Sequence, residues 1–199
     1  MPEAIQIARP TPYASSRDFC RIFHEETESL YRLSFLLTAE RVKAEQCLVS
    51  GLDDSLKGSR VFKEWARSWA RRAIIQNAVR VVNPRPIGEN VPSSFNSSGR
   101  TLIAEPAEIA AILELAPFER FVYVMSVLER YSDQDCSVLL GCSRRDVNAA
   151  RIRALQQIGS VMELRIKQQV NVGSWKPVLD HNCRAVLELQ LATRLATLA

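Results

Sequence analysis

The chain has 199 residues, of which 47% are hydrophobic and 24% are charged, and its formal net charge at pH 7 is +4. This is the composition of an ordinary soluble protein with enough apolar residues for one or two compact domains. We expect no membrane span, because no apolar run approaches the ~20 residues that a bilayer requires, and the N-terminal residues lack the apolar core of a signal peptide.

The five cysteines are scattered without a CxxC pair, and the chain has two histidines. Zinc sites need clustered Cys and His ligands, so this pattern predicts no metal site. Arginine supplies 21 of the 26 cationic residues, a bias that suits phosphate contacts but also arises in high-GC genomes. We expect a cytoplasmic protein with buried free thiols and no cofactor.

Two helices are predicted in the N-terminal part of the chain. The first begins after Ser15-Ser16 and ends at Thr38, because large apolar residues recur along one side of it. These residues are Phe19, Ile22, Phe23, Leu30, Leu33 and Leu37. The second helix is predicted to end at Gly51. Residues 52–60 are predicted to form a loop, since their glycine and serines compete with helix.

The most basic helix is predicted at residues 61–82. Its presumed buried face carries Val61, Phe62, Trp65, Trp69, Ala73 and Gln76, and the cations of the segment are Arg60, Lys63, Arg67, Arg71, Arg72 and Arg80. Two interpretations stay open: a core helix with a solvated back, or a nucleic-acid surface on which guanidinium groups follow phosphates. The two tryptophans favour the core, whereas the arginines are the better DNA candidates.

A linker is predicted at residues 83–104. Between Asn83 and Arg100 there are three prolines, two glycines and several serines and asparagines, and no apolar periodicity. This segment separates a predicted helical domain at residues 15–82 from a second one at residues 105–160. Pro106 is expected to open a short helix at the start of the second domain.

The second predicted domain ends in a helix-turn-helix. Pro117 suits the first position of a supporting helix, and Ser132, followed by an acid three residues later, is typical of the start of the next. Gly141 is expected to end that helix, and Ser143 with Asp146 to cap another almost at once. Two short helices joined by a tight turn with glycine can insert the second helix into the major groove of DNA.

The face of this last helix can be read from its spacing. Val147, Ala150, Ala154 and Ile158 form the predicted inward stripe, so Arg145, Asn148, Ala149 and Arg153 should project away from the core. The candidate DNA-binding residues are Ser143, Arg144, Arg145, Asn148, Ala149, Arg151 and Arg153. Arginine can donate two parallel hydrogen bonds to guanine, and asparagine can pair with adenine. The alternative is an arginine-rich solvated face that serves solubility alone.

Residues 161–199 are predicted to be a helical tail. The recognition helix should continue to about Gln169, and NVGSWKP should break it. A short amphipathic helix then follows with Val186, Leu187, Leu189, Leu191, Leu195 and Leu198. It could dock on either domain, pair with a partner helix or mediate dimerisation.

Residues 115–155 resemble the promoter-reading region 4 of bacterial sigma factors of the extracytoplasmic-function group. The Leu115-Ala116-Pro117 start, the Tyr131-Ser132 turn and the Leu140-Gly141-Cys142-Ser143 turn are similar to that family's pattern. The N-terminal half resembles region 2 through Leu30-Tyr31-Arg32-Leu33, Ala44-Glu45 and residues 65–80. The resemblance implies an all-α fold of two small helical domains joined by a flexible linker.

The resemblance also implies partners and sites. The partners would be core RNA polymerase, promoter DNA and, as a further candidate, an anti-sigma protein. Polymerase would be engaged by Ala44, Glu45 and Leu48, and the −10 element by Arg67, Arg71, Arg72, Gln76 and Arg80. The C-terminal helix would read the −35 element. No membrane or small-molecule substrate is expected.

The sequence departs from that family at functional positions. Residues 46–50 replace an acidic polymerase-binding run, and Asn148-Ala149 stand where the family has Lys and Ser. Two alternatives therefore stay open: a sigma-derived DNA-binding regulator that no longer engages polymerase, and a protein-interaction module. An enzyme is not expected, because the chain has no phosphate loop, no HExxH motif and no nucleophile with a nearby base.

Overall fold

The computed structural model describes residues 12–58, 60–86 and 106–166. These residues form eight α-helices and no β-strand, apart from an isolated bridge between Tyr13 and Phe62, so the all-α class is confirmed for them. The helices are α1 (Ser16–Glu25), α2 (Thr27–Thr38), α3 (Arg41–Lys57), α4 (Ala66–Val82), α5 (Ala107–Leu113), α6 (Pro117–Tyr123), α7 (Asp133–Leu140) and α8 (Arg144–Ile166).

The single helix predicted from Ser16 to Thr38 is wrong, because the chain bends at Glu26 and forms α1 and α2. Ser15 caps α1 in a reciprocal box with Asp18, and the hydroxyl of Thr27 donates to the carbonyl of His24 at 3.0 Å at the other end. The apolar spacing continues across the bend into the same core, so periodicity could not reveal it.

The prediction that Gly51 ends a helix is also wrong, since α3 continues through it to Lys57. A Cβ atom at Gly51 would lie 2.5 Å from Cδ1 of Ile74, so a side chain at this position would require Ile74 to shift. The helix accepts the glycine because packing against α4 outweighs its roughly 1 kcal/mol helix penalty. Residues 52–57, predicted as a loop, are therefore helical.

The buried face of α4 differs from the predicted one. Residues 63–65 form a 3₁₀ turn before the α-helix begins at Ala66, which shifts the register of the inward positions. Ala70, Ile74 and Ala78 are fully buried, whereas Trp65 is 60% exposed. Trp65 is thus not a core residue, and Trp69 is only partly buried.

In the C-terminal part of the chain, α5, α6 and α7 all pack against α8. Pro117 occupies the first turn of α6 as predicted. The helix then widens into a π-helical turn at Val124–Leu128, where the N–H of Glu129 bonds to the carbonyl of Val124 at 2.9 Å. Arg130 follows in the left-handed region with φ of 57°. This wider turn ends with Glu129 directed toward α4.

The two halves of the chain contact each other. Buried Arg120 of α6 donates from Nε to the carbonyl of Leu37 at the end of α2 and from Nη1 to the carbonyl of Leu115, both at 3.1 Å. Apolar residues of α2 and α6 belong to one continuous buried cluster. The division into two domains stays a prediction. Most of the predicted linker and residues 167–199 of the tail lie outside the described residues.

Candidate nucleic-acid interface

The turn between α7 and α8 is capped as the sequence predicts. The hydroxyl of Ser132 accepts the N–H of Asp135 at 3.1 Å, and Gly141 ends α7 with φ of 63°. At α8 the Ser143 hydroxyl accepts the N–H of Asp146, and the Asp146 carboxylate accepts the N–H of Ser143, both at 3.1 Å. Hydrogen bonds from Ser143 hold the pKa of Asp146 below its usual value.

The predicted inward stripe of α8 is confirmed. Val147, Ala150 and Ala154 are fully buried, and Ile158 is partly buried against the same cluster. With this stripe inside, a helical repeat of 3.6 residues turns Arg145 and Ile152 to the opposite face. The same geometry puts Arg151 and Arg153 at the two flanks of the stripe, close to neighbouring helices.

The N-terminal turns of α8 present exposed polar side chains to solvent. Arg144, Arg145 and Asn148 are exposed, and Ala149 is partly exposed. Nε of Arg144 donates to Gln134 of α7 at 2.5 Å, so this guanidinium keeps other donors available. Arg145 makes no hydrogen bond or ion pair with any residue that the structure describes. It is therefore the α8 arginine best able to bind an anion.

Arg151 and Arg153 serve the packing of α8 instead. Arg151 forms an ion pair with Asp133 of α7 and donates to Oδ1 of Asn148 at 3.0 Å. Arg153 was predicted to project away from the core, but its Nε and Nη2 both donate to Oε1 of Glu119, at 3.0 and 2.9 Å. Glu119 is 4% exposed, and its Oε2 has no hydrogen-bond partner among the residues that the structure describes. Arg153 thus balances a buried carboxylate.

The outer face of α8 also carries apolar side chains that the sequence analysis did not single out. Ile152 and Leu155 are each 48% exposed. The sequence does indicate this exposure, because helical spacing places both residues outside the inward stripe. Exposed aliphatic groups beside arginine and asparagine suit contacts with the methyl group of thymine.

On α4, three of the predicted DNA-binding arginines are ion-paired within the protein. Arg67 pairs with Glu25 and Glu26, and Arg80 donates to Asp54 at 2.8 Å. Asn77 also donates to Asp54, at 2.9 Å.

The third arginine joins the two halves of the chain. Nε of Arg71 donates to Oε2 of Glu129 at 2.6 Å and Nη2 donates to Oε1 at 2.5 Å. Nη1 of Arg71 donates to the hydroxyl of Ser29 at 3.1 Å. The carboxylate of Glu129 raises the pKa of Arg71.

The other two predicted residues of α4, Arg72 and Gln76, line a groove of about 730 Å³ between α4 and the turn at Glu129–Tyr131. Both side chains are partly exposed. Neither makes a hydrogen bond or ion pair within the described ranges.

The candidate polymerase-binding residues of α3 are mostly internal. Ala44 and Leu48 are fully buried, and the Ser34 hydroxyl donates to the carbonyl of Ala44 at 2.7 Å. Their side chains pack against neighbouring helices and have no surface to offer. Glu45 is partly exposed, and the neighbouring Val42 is 60% exposed. A partner would therefore meet the first turns of α3 through the exposed Arg41, Val42 and Gln46 and the partly exposed Glu45.

The cysteines of the described ranges are free thiols, and Cys20, Cys47 and Cys136 are buried. Burial raises the pKa of Cys47 and of Cys136 to about 11. No cluster of potential metal ligands occurs among the residues that the structure describes. Within the same ranges, no helix combines the length and apolar character needed to span a bilayer.

Comparison of the sequence with models of protein families and with curated proteins finds no match to either.

Proposed function

We propose that this protein is a sigma-like transcription initiation factor that binds core RNA polymerase and reads a promoter element through α8. The observation that carries the proposal is the capped helix-turn-helix, in which Arg144, Arg145 and Asn148 are exposed at the start of the second helix. The resemblance of both halves of the sequence to regions 2 and 4 of that family, in the family's order, supports the same function.

The chemistry of α8 suits duplex DNA. The N-terminus of the helix adds backbone N–H groups and a partial positive charge, which favour a phosphate. Arg145 has no internal partner within the described residues, so its guanidinium can donate two hydrogen bonds to guanine. Ile152 lies two turns further along the same face and suits a thymine methyl group. The expected site therefore combines a G·C pair with a nearby A·T pair.

A second function, a DNA-binding regulator that does not engage polymerase, is favoured by the burial of Ala44 and Leu48. With those side chains internal, the surface of α3 that could meet polymerase is limited to residues such as Val42 and Glu45. The ion pairs of Arg67, Arg71 and Arg80 also reduce the positive charge that α4 can offer to a melted strand.

The deciding experiment is gel filtration of the purified chain with core RNA polymerase from its own host, with an active sigma factor as a parallel control. Stoichiometric co-elution supports the initiation factor. If the control co-elutes and this chain does not, the initiation function is rejected. Duplex binding with steep salt dependence would then support the regulator, and the absence of DNA binding would leave the interaction module.

A matched pair of variants tests the assigned DNA surface independently of polymerase. Arg145→Ala removes an exposed guanidinium of α8, and Arg32→Ala removes an exposed arginine of α2 that is not among the candidate DNA-binding residues. Selected duplex DNA should bind the Arg145 variant more weakly than the wild type and the Arg32 variant equally well. Equal affinities for all three proteins would show that α8 does not read DNA.

A further inference from the structure

The groove between α4 and the turn at Glu129–Tyr131 has the features of a small-ligand site. Its volume is about 730 Å³, within the roughly 300–1,000 Å³ that ligand pockets usually occupy. One wall is formed by Trp65 at the end of the 3₁₀ turn and by Trp69 and Arg72 of α4, and the other wall comes from the C-terminal half of the chain. A ligand here would contact both halves at once.

The groove holds positive charge that the protein does not neutralise. Three arginines and two acids line it. Arg71 is balanced by Glu129 through two hydrogen bonds, and Asp135 is engaged with Ser132 of its own helix cap. Arg72 and Arg130 make no ion pair or hydrogen bond in the described part of the chain. The Asp135 carboxylate keeps its charge, so the lining has a net charge of +1. Arg72 and Arg130 offer planar donors that are well suited to an anionic ligand.

The aromatic wall of the groove favours a planar ring. Trp65 is 60% exposed, and its ring is oriented by an edge-to-face contact with Phe62, at a centroid distance of 5.3 Å and an angle of 80°. An exposed indole held in one orientation is a stacking platform for a nucleobase. Tyr131 lies on the opposite side of the groove, where burial raises the pKa of its phenol and the nearby Arg72 cation partly opposes that rise.

Arg130 occupies a backbone position that glycine would fill without strain. Its φ of 57° is in the left-handed region, and the N–H of Tyr131 bonds back to the carbonyl of Met125 at 2.9 Å, as at the end of many helices. The turn thus carries a long cationic side chain over the groove although a residue without Cβ would suit the backbone better.

We propose that this groove binds a free nucleotide, with its base against Trp65 and its phosphates held by Arg72 and Arg130. The bound nucleotide would bridge α4 and the Glu129–Tyr131 turn and so favour the arrangement in which the two halves are in contact. This inference is independent of promoter recognition and does not rest on the proposed function.

The test is calorimetric titration of the full chain with ATP and GTP, followed by tryptophan fluorescence. Binding of either nucleotide, with quenching that is lost in Trp65→Leu, is the expected result. Trp65→Leu and Arg130→Gly should each weaken binding about tenfold, since stacking and charged hydrogen bonds contribute on this scale. Arg32→Gln, which changes an exposed arginine that does not line the groove, is the control and should bind as the wild type does.

Arg130→Gly keeps the proposal open to refutation, because glycine relieves the backbone strain and the variant should fold at least as stably as the wild type. No binding of ATP or GTP at millimolar concentration overturns the proposal. Equal affinity for tripolyphosphate and ATP overturns the role of Trp65. Binding of single-stranded oligonucleotides without binding of free nucleotides overturns the free-nucleotide site and assigns the groove to a nucleic-acid strand.

Discussion

The two arginine-rich helices, α4 and α8, use the same side chain in different ways. On α4, Arg67, Arg71 and Arg80 are ion-paired with acids of other elements. On α8, Arg145 is exposed and makes no ion pair among the described residues, whereas Arg151 and Arg153 are paired as on α4. A high density of arginine therefore does not by itself identify a DNA-binding surface. The acids on neighbouring helices decide which guanidinium groups remain available.

The largest expected effect is the loss of stability when Arg153 is replaced. Comparing it with the replacement of Arg145 tests whether Arg153 is a structural arginine and Arg145, on the same helix, a DNA-binding one. Arg153→Met leaves the buried carboxylate of Glu119 without its partner, and we expect the free energy of unfolding to fall by about 3 kcal/mol. Arg145→Ala should change it by less than about 0.5 kcal/mol. Urea denaturation measures both, and Glu119→Gln combined with Arg153→Met should recover part of the loss. Similar stabilities of the two single variants would contradict the assignment.

The comparison between the helices is tested most directly by DNA affinity. Arg145→Ala should weaken binding to a selected duplex about tenfold and reduce its dependence on salt, because one guanidinium contact is lost. Arg67→Ala, the matched change on α4, should leave the affinity within about twofold. Fluorescence anisotropy at two salt concentrations provides the measurement. A larger loss for the Arg67 variant would reverse the roles of the two surfaces.

The contact between the halves can be measured through Arg71 and Glu129. Their side chains are 26% and 12% exposed, so a double-mutant cycle with Arg71→Met and Glu129→Gln should give a coupling energy of about 1 kcal/mol. The same cycle on Arg80 and Asp54, whose side chains are 64% and 40% exposed, is the control and should give less. Additive effects for Arg71 and Glu129 would mean that the halves do not depend on this ion pair.

Alkaline pH should lower the free energy of unfolding by a smaller amount. The groups responsible are buried thiols in the helices that pack against α4 and α8. The pKa values of Cys47 in α3 and Cys136 in α7 are raised to about 11 from an ordinary 9.0. Each thiol therefore contributes stability that is complete below pH 9 and is lost as pH rises through the folded value, and the loss at pH 9.5 is on the order of 1 kcal/mol.

Thermal unfolding between pH 8 and pH 10 tests this pH dependence. Cys47→Ala and Cys136→Ala should each show a flatter decline of stability with pH than the wild type, whatever their stability at pH 8. The same decline in all three proteins would show that the thiols stay protonated in the unfolded chain or titrate normally in the folded one.

The predictions from sequence succeeded where the structure depends on neighbours in the chain. The caps at Ser132 and Ser143, the stop at Gly141 and the inward stripe of α8 involve residues within one or two helical turns. Predictions failed where distant contacts decide. Gly51 stays helical because α4 packs against it through Ile74. The bend at Glu26 leaves the apolar spacing almost unchanged, and the 3₁₀ turn before Ala66 shifts which residues of α4 face inward.

The same distinction between local and distant contacts applies to the candidate site. The sequence alone identified α8 as a capped helix with an arginine-rich outer face, because helical spacing determines which residues share a side. It could not identify the partners of the arginines, since Asp133, Glu119 and Glu129 lie 18, 34 and 58 residues away from Arg151, Arg153 and Arg71. Tertiary packing brings those acids into contact. It thereby decides that Arg145 faces solvent while its neighbours hold the helices together.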